Sequence, residues 1–278
     1  MDKAIVVSVS GGKDSTATLL KALELHPKDN IYPIFADTHF EHPYTYEYLD
    51  YLEQQLDIKI IRVQSSKYQG VIDLIRTQKK FPNGRMRVCT QHLKQMPIRE
   101  YLIANDLLNS EVWIGIRADE SAQRNKKYGE ITPTETFAIN DIYPHYPKKY
   151  FKNSVVRYPI IDMGVEDVFS YITSKGIEAN KLYSMGFDRV GCFPCVLSGM
   201  KIYKKAWQTP EGKANIQALI DLEEELEAAS GTSSKIKFGK TRFWLIDKLN
   251  YVKPEQMELF KEVDDDEPKE EICSICQA

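Results

Sequence analysis

The sequence predicts an α/β protein: a parallel sheet sandwiched by helices, with a helical C-terminal part. Three observations carry this. Short apolar, β-branched runs alternate with helix-length segments through the first half. A Ser-Gly-Gly turn sits directly between the first such run and the first helix. The last third keeps helical apolar stripes but has no comparable strand run.

Ala4–Val9 (AIVVSV) reads as a strand buried on both faces. Ser15–Leu25 follows as a helix with Leu19, Leu20 and Leu23 on one face. Ile31–Ala36 is the second strand, and Tyr44–Leu56 is a helix with Tyr48, Leu49, Leu52 and Leu56 at helical spacing. Ile58–Val63 is the third strand, Val71–Thr77 and Met96–Leu107 are helical, and Glu111–Ile116 is the fourth strand. From Lys126 to Arg157 the chain is rich in Tyr, Pro, Lys and Asn and reads as an irregular excursion. Val165–Lys175 and Glu211–Ala229 are helices, and Arg242–Leu249 is a further short one. The expected units are an α/β domain over 1–190, a helical part over 191–263, and an acidic, solvated tail over 264–278.

The chain has 278 residues, 42% hydrophobic and 28% charged, which suits a globular core and argues against disorder. With 37 basic and 40 acidic residues the net charge is −3, which excludes a globally basic nucleic-acid binder but not a local basic groove. Asp264–Glu271 alone contributes six acids against one lysine, so the remainder is closer to neutral. No run approaches the roughly 18 apolar residues of a membrane span. The start shows no signal-peptide anatomy, so a cytoplasmic protein with reduced thiols is expected, with no membrane partner.

Ser10-Gly11-Gly12-Lys13-Asp14-Ser15 closes the first strand and opens the first helix. Ligands of parallel α/β sheets bind at this end of the strands. Gly11 and Gly12 allow close backbone approach, and the helix N-terminus offers N–H groups to an anion. Ser10 and Ser15 add hydroxyls, Lys13 adds a point charge for pyrophosphate, and Asp14 is a candidate Mg²⁺ ligand. The run is neither a Walker A loop nor GxGxxG. Asp37 ends strand two, where a carboxylate can take a ribose hydroxyl or a metal. Arg117 ends strand four, and Arg124 lies seven residues on. Together they are candidates to clamp a phosphate or sulfate, with Glu120 orienting them. His39 and His42 flank Glu41, a metal-like spacing without a helix to align it.

The five cysteines form three groups: Cys89, Cys192-Phe-Pro-Cys195 and Cys273-Ser-Ile-Cys276. Two CxxC pairs can build a zinc site. A 4Fe–4S cluster on Cys89, Cys192 and Cys195 is the alternative, and a buried, unliganded thiol is a third reading for Cys89. Cys273 and Cys276 are candidates for sulfur handling or redox work. Lys126, Lys127, Lys148, Lys149 and Lys152 are interleaved with Tyr128, Tyr143, Tyr146, Tyr150 and Phe151. That pattern suits either a nucleic-acid groove or a solvated loop with packing tyrosines.

SGGKDS after an N-terminal strand resembles the pyrophosphate loop of the ATP-pyrophosphatase superfamily. Phe35-Ala-Asp-Thr38 with Glu41 and Pro43, Arg87-Val-Cys-Thr90 with Lys94 and Pro97, Gly115-Ile-Arg117 with Glu120, Ser121 and Arg124, and Tyr183 to Cys195 resemble, in order, elements of its phosphoadenosine phosphosulfate reductase-like branch. The resemblance covers about the first 200 residues. It implies an adenine nucleotide alpha-hydrolase-like (HUP) sandwich that binds ATP with Mg²⁺. Two features depart from the branch's cluster-bearing reductases. Val88 stands where they carry the first Cys of a doublet, and the tail does not resemble their Glu-Cys-Gly ending.

The leading expectation is an ATP pyrophosphatase that adenylylates an acceptor for sulfur transfer. A full SGGKDS loop suits expulsion of pyrophosphate, which sulfonucleotide reduction does not require. By resemblance the setting is nucleic-acid sulfur modification such as DNA phosphorothioation, then tRNA thiolation. A cysteine desulfurase would supply the sulfur, and an oligomer is compatible. The alternatives are a phosphoadenosine phosphosulfate or adenylylsulfate reductase, and a non-catalytic nucleotide- or cluster-sensing module.

Overall fold

The computed structural model describes residues 3–84 and 87–230, with the short pieces 237–238, 241–242 and 249. Most of the expected Arg242–Leu249 helix, the acidic tail, and Cys273 and Cys276 lie outside the described residues.

Six strands form one sheet. They are β1 (Ala4–Val9), β2 (Ile31–Asp37), β3 (Ile61–Gln64), β4 (Ser110–Trp113), β5 (Thr136–Ala138) and β6 (Val155–Arg157), in spatial order β3-β2-β1-β4-β6-β5. All neighbouring pairs run parallel except the edge pair β5–β6. The mostly parallel α/β class therefore holds. The stretch read as irregular contains the last two strands. Each spans only three residues, too few for an alternation to show in sequence. The third strand also starts later than expected, at Ile61 rather than Ile58.

β1 is central, and its side chains split between two layers. Ile5, Val7 and Val9 pack with Leu19, Leu49, Leu52 and Val168. These come from α1 (Lys13–Leu25), α2 (Pro43–Leu56) and α8 (Val165–Ser174). Val6 packs on the opposite face with Ile34, Leu102, Val156 and Ile161. Leu102 belongs to α4 (Met96–Ala104), which continues a π-helical turn, Thr90–Gln95. Period-two alternation in a strand covered on both sides explains why β1 reads as one unbroken apolar run.

A third cluster lies beyond the sheet. Leu74 and Ile75 of α3 (Val71–Gln78) pack with Tyr203 of α10 (Met200–Ala206) and with Ile216, Leu219 and Leu226 of α11 (Pro210–Ser230). Phe40 and Leu182 join the same cluster. The helical C-terminal part is thus seated against the segments that follow β2 and β3. No described helix is long and apolar enough to cross a membrane.

Candidate functional site

The phosphate loop joins β1 to α1 at the carboxyl edge of the sheet. Gly11 holds φ at +74°, which an L side chain resists, and a Cβ there would press on the Thr45 methyl. Gly12 enters α1 in extended backbone, and no side chain caps the helix. Apart from the Lys13 N–H, which a tyrosine hydroxyl takes, the N–H groups of the first turn can serve an anion. The loop organises itself through hydroxyls. The Ser10 N–H donates to Ser15 Oγ (3.0 Å), the two serine oxygens stand 3.1 Å apart, and Ser15 Oγ donates to the Gly12 carbonyl (3.0 Å).

The charged members of the loop are buried and paired. Lys13 is 6% exposed and Asp14 8%. Lys13 Nζ donates to Asp14 Oδ2 at 3.1 Å, and Arg117 Nε donates to Asp14 Oδ1 at 2.6 Å. Asp14 therefore sits between two cations. Arg117, 3% exposed, also binds Asp119 and reaches the Met163 carbonyl at 3.4 Å. Arg124, 2% exposed, pairs with Glu120, whose other oxygen lies 3.6 Å from Arg189. The two arginines of the expected clamp are thus each bound to a carboxylate. Arg117 belongs to the phosphate-loop network, and Arg124 to α5 (Ala122–Tyr128). Close approach of strand and loop is built in at Gly115, where a Cβ would fall 2.7 Å from the Asp14 carbonyl.

Two site residues carry no local sequence signal. The Tyr183 hydroxyl accepts the Lys13 backbone N–H at 2.8 Å, and its ring lies under Lys13 Nζ, 5.5 Å from the centroid. Burial pushes this phenol well above its ordinary range. Asn180 caps α9 (Lys181–Ser184) and donates Nδ2 to the Gly11 carbonyl at 3.2 Å. Both lie about 170 positions from the loop they support. Tyr183 opens the Tyr183–Cys195 segment of the family resemblance, which assigned it no role, and Asn180 lies just before that segment.

Asp37 stands at the end of β2, as expected. Its Oδ1 accepts the His39 N–H and the Tyr46 hydroxyl, both at 2.8 Å. Behind it lies a buried polar knot. Glu41 accepts the Thr38 hydroxyl (2.6 Å), the Thr38 N–H (3.2 Å) and the Phe40 N–H (3.1 Å). Cys192 Sγ lies 3.2 Å from Thr38 Oγ1 and 3.9 Å from Glu41 Oε1. Glu41 and Cys192 also form an antiparallel backbone bridge. Burial raises the Glu41 carboxyl, and burial together with Glu41 raises the Cys192 thiol.

The described cysteines have different surroundings. Cys192 is engaged with Thr38, Cys195 is exposed, and Cys89 is half-buried against the third apolar cluster. Among the described residues no three His, Cys, Asp or Glu side chains stand together as a metal ligand set. The zinc and iron–sulfur expectations for Cys89, Cys192 and Cys195 gain no support from this placement, and Cys273 and Cys276 lie outside the described residues. Nor do His39 and His42 converge: His42 caps α2 through Nδ1 and faces Glu211, while His39 bonds Gln64. Mg²⁺ makes a smaller demand, since one carboxylate plus phosphates and water suffices. Asp14 is the loop's candidate for that role, with its two oxygens held by Lys13 and Arg117 in this structure.

The basic, aromatic segment also resolves. Tyr128, Tyr143, Tyr146 and Phe151 are core residues, while Lys126, Lys127, Lys148, Lys149 and Lys152 are exposed. Most of these aromatics hold the fold and offer no face to a base. Tyr150 is the exception, at 39% exposure.

The fold has solved counterparts. It matches a phosphoadenylyl-sulfate reductase from Candida auris in phosphate complex, at 14% identity and a TM-score of 0.50, over 70% of this chain and 84% of that one. In sequence, an uncharacterized protein of Escherichia phage 186 is 30% identical over 239 residues, 69% of this chain and 66% of the relative. An uncharacterized protein of Methanocaldococcus jannaschii is 30% identical over 196 residues, 69% of this chain and 36% of the relative. An adenosine 5'-phosphosulfate reductase of Anoxybacillus flavithermus is 24% identical, over 60% of this chain and 63% of the relative. The chain thus spans between about a third and two thirds of these curated relatives. The phosphoadenosine phosphosulfate reductase domain model matches residues 4–198, which covers all six sheet strands, the phosphate loop and the Cys192–Cys195 pair. The chain belongs to the phosphoadenosine phosphosulfate reductase domain family.

Proposed function

We propose that this protein is an ATP pyrophosphatase that activates an acceptor by adenylylation for sulfur transfer, with a nucleic acid as the acceptor class. The observation that carries this reading is the complete Ser10–Ser15 loop, with buried Lys13 in the first turn of a helix whose N-cap is a glycine. A β,γ-pyrophosphate is the anion such a loop suits: two adjacent phosphates, one mobile lysine and the helix dipole.

The chemistry balances simply. An acceptor oxygen attacks the α-phosphorus of ATP, the α–β bridging bond breaks, and pyrophosphate leaves with the bond electrons. Lys13 Nζ moves from Asp14 to the departing oxygens and offsets their growing charge. Arg117 keeps Asp14 in place while Lys13 is away. Asp14 would hold Mg²⁺ together with the phosphates, and the ion would supply positive charge to the phosphate oxygens. The terminal sulfur of a persulfide supplied by a cysteine desulfurase then attacks the activated acceptor and displaces AMP, and a second thiol cleaves the resulting acceptor–donor disulfide, leaving the sulfur on the acceptor.

The test is pyrophosphate release from Mg·ATP, alone and with a desulfurase and nucleic acid, compared with a Ser10→Ala/Lys13→Ala double variant. Release no greater than in that variant removes the reading. A second reading has its own support in the family match and the Anoxybacillus reductase. On that reading the protein reduces a sulfonucleotide with a cysteine thiol. Sulfite production from adenylylsulfate with thioredoxin, without pyrophosphate release, would establish it.

A further inference from the structure

The two buried arginines beside the phosphate loop are already committed to carboxylates. The guanidinium best able to turn towards an arriving anion is a third one, Arg189. Its backbone is pinned at the mouth of the loop. Upstream, the Tyr183 hydroxyl takes the Lys13 N–H at 2.8 Å. Next to it, Val190 packs on the loop so closely that a Cβ on Gly12 would meet Val190 Cβ at 3.6 Å. Just downstream, Cys192 makes the backbone bridge to Glu41 beyond the end of β2. The chain at Arg189 therefore runs from the phosphate loop towards the rim of β2.

Its side chain reaches the turn after β4, where Nη2 lies 3.6 Å from Glu120 Oε1. That hold is loose. The Arg189 side chain is 48% exposed, against 4% for Arg117 and 2% for Arg124. An ion pair so open to water contributes little. Glu120 keeps Arg124 when Arg189 leaves, so no buried charge is stranded by the move. The Tyr183 phenol, raised chiefly by burial, is also lowered in part by the charge of Arg189. The guanidinium is thus within electrostatic range of the oxygen that takes the Lys13 N–H.

Other exposed cations are worse placed. β5 runs antiparallel to β6, so their connection, through α6 (Ile139–Ile142) and α7 (Lys148–Phe151), lies at the opposite edge of the sheet from the loop. The lysines of α7 are there. Lys181 faces Glu47, and Lys205 donates to the Gly186 carbonyl.

We propose that Arg189 is a phosphate-binding residue of this site, which swings from Glu120 onto the β,γ-phosphates of ATP and holds them together with Lys13. The choice of ligand rests on the pyrophosphatase reading above. A planar guanidinium bonds two phosphate oxygens at once, which an ammonium cannot do. Glu120 is then its resting partner, keeping the guanidinium at the mouth until nucleotide arrives.

The experiment is calorimetric titration of the full chain with inorganic pyrophosphate, Mg·ATP and AMP, for wild type, Arg189→Gln and Arg189→Lys. Arg189→Gln is expected to bind pyrophosphate and Mg·ATP about tenfold more weakly and AMP as wild type does. Arg189→Lys should recover part of the loss. Wild-type affinity for pyrophosphate and Mg·ATP in Arg189→Gln would overturn the assignment. An equal loss for AMP would overturn it too, because AMP lacks the β,γ-phosphates and its loss marks a general disturbance of the site. Pyrophosphate release from Mg·ATP is scored separately. Release without any dependence of binding on Arg189 rejects only this inference. Arg189-dependent pyrophosphate binding without release retains the residue's role and rejects only the pyrophosphatase reading.

Discussion

The hydroxyl of Tyr183 accepts the backbone N–H of Lys13 at 2.8 Å, joining α9 to the first turn of α1. Tyr183→Phe keeps the ring under Lys13 but leaves that N–H without its acceptor. The expected cost is about 1–2 kcal/mol in chemical unfolding. Pyrophosphate affinity by calorimetry should fall as well, because the loop loses its brace. Unchanged stability and affinity would show that the contact is incidental.

Asp14 is held by two cations, and removing its charge strands them. Asp14→Asn should destabilise by about 3 kcal/mol, since breaking a buried pair costs more than the pair is worth. Asp119 still accepts from Arg117, which limits the damage. An Asn variant as stable as wild type in urea would mean that Lys13 and Arg117 do not depend on this carboxylate.

Gly115 tests steric design rather than backbone freedom, since its φ is not in the left-handed region. A Cβ there meets the Asp14 carbonyl carbon and oxygen at 2.7 Å and the Ser15 nitrogen at 2.9 Å. Backbone cannot swing aside as a side chain can. Gly115→Ala should cost about 1–3 kcal/mol and weaken nucleotide binding by shifting the α1 start. Wild-type ATP affinity in that variant would show that the loop tolerates displacement.

Glu41 makes a pH prediction. Burial raises its carboxyl above the usual 4.5, so the folded protein keeps a proton that the unfolded chain has already released. Stability from this group is fully present below the unfolded value, falls as pH rises through the window up to the folded value, and then levels. Glu41→Gln removes the titration. Its amide oxygen can accept the Thr38 and Phe40 N–H groups, and its NH₂ can donate to Thr38 Oγ1. In urea unfolding at about pH 5 and about pH 8, wild type should lose stability relative to this variant at the higher pH. Parallel profiles would contradict a raised Glu41.

The cysteines should separate by reactivity. Thiolate and exposure control alkylation, and a thiol raised by burial is inert. Iodoacetamide followed by peptide mass spectrometry should label exposed Cys195 well before Cys192. Equal labelling would place Cys192 at the surface.

Much of this was legible from sequence where the signal is local. β1, the Gly-Gly turn and α1 are contiguous, and the loop's residue types state their chemistry directly. The family's ordered motifs located Glu41, Gly115, Arg117, Arg124 and the Tyr183–Cys195 segment. Pairing was not legible. Arg117 and Asp14 lie 103 residues apart, and nothing in their spacing says that the arginine serves the loop's own carboxylate before any ligand. The tyrosines between 128 and 146 misled in the other direction. Interleaving with lysine looks the same for a stacking surface and for a core wall, and only burial distinguishes them. The cysteines could not be sorted for the same reason, because ligand sets are defined in space.

The bridge between Glu41 and Cys192, with the Phe193 N–H on the Phe40 carbonyl, closes a loop of some 150 residues. Contacts so distant in sequence are slow to form and come after local structure. During synthesis β1, α1 and β2 emerge before Tyr183 and Cys192, and the rim they build lacks both until some 150 further residues are made. The nascent chain would therefore carry its phosphate-binding sequence long before it carries a finished site, and the C-terminal segments would set when nucleotide can first bind.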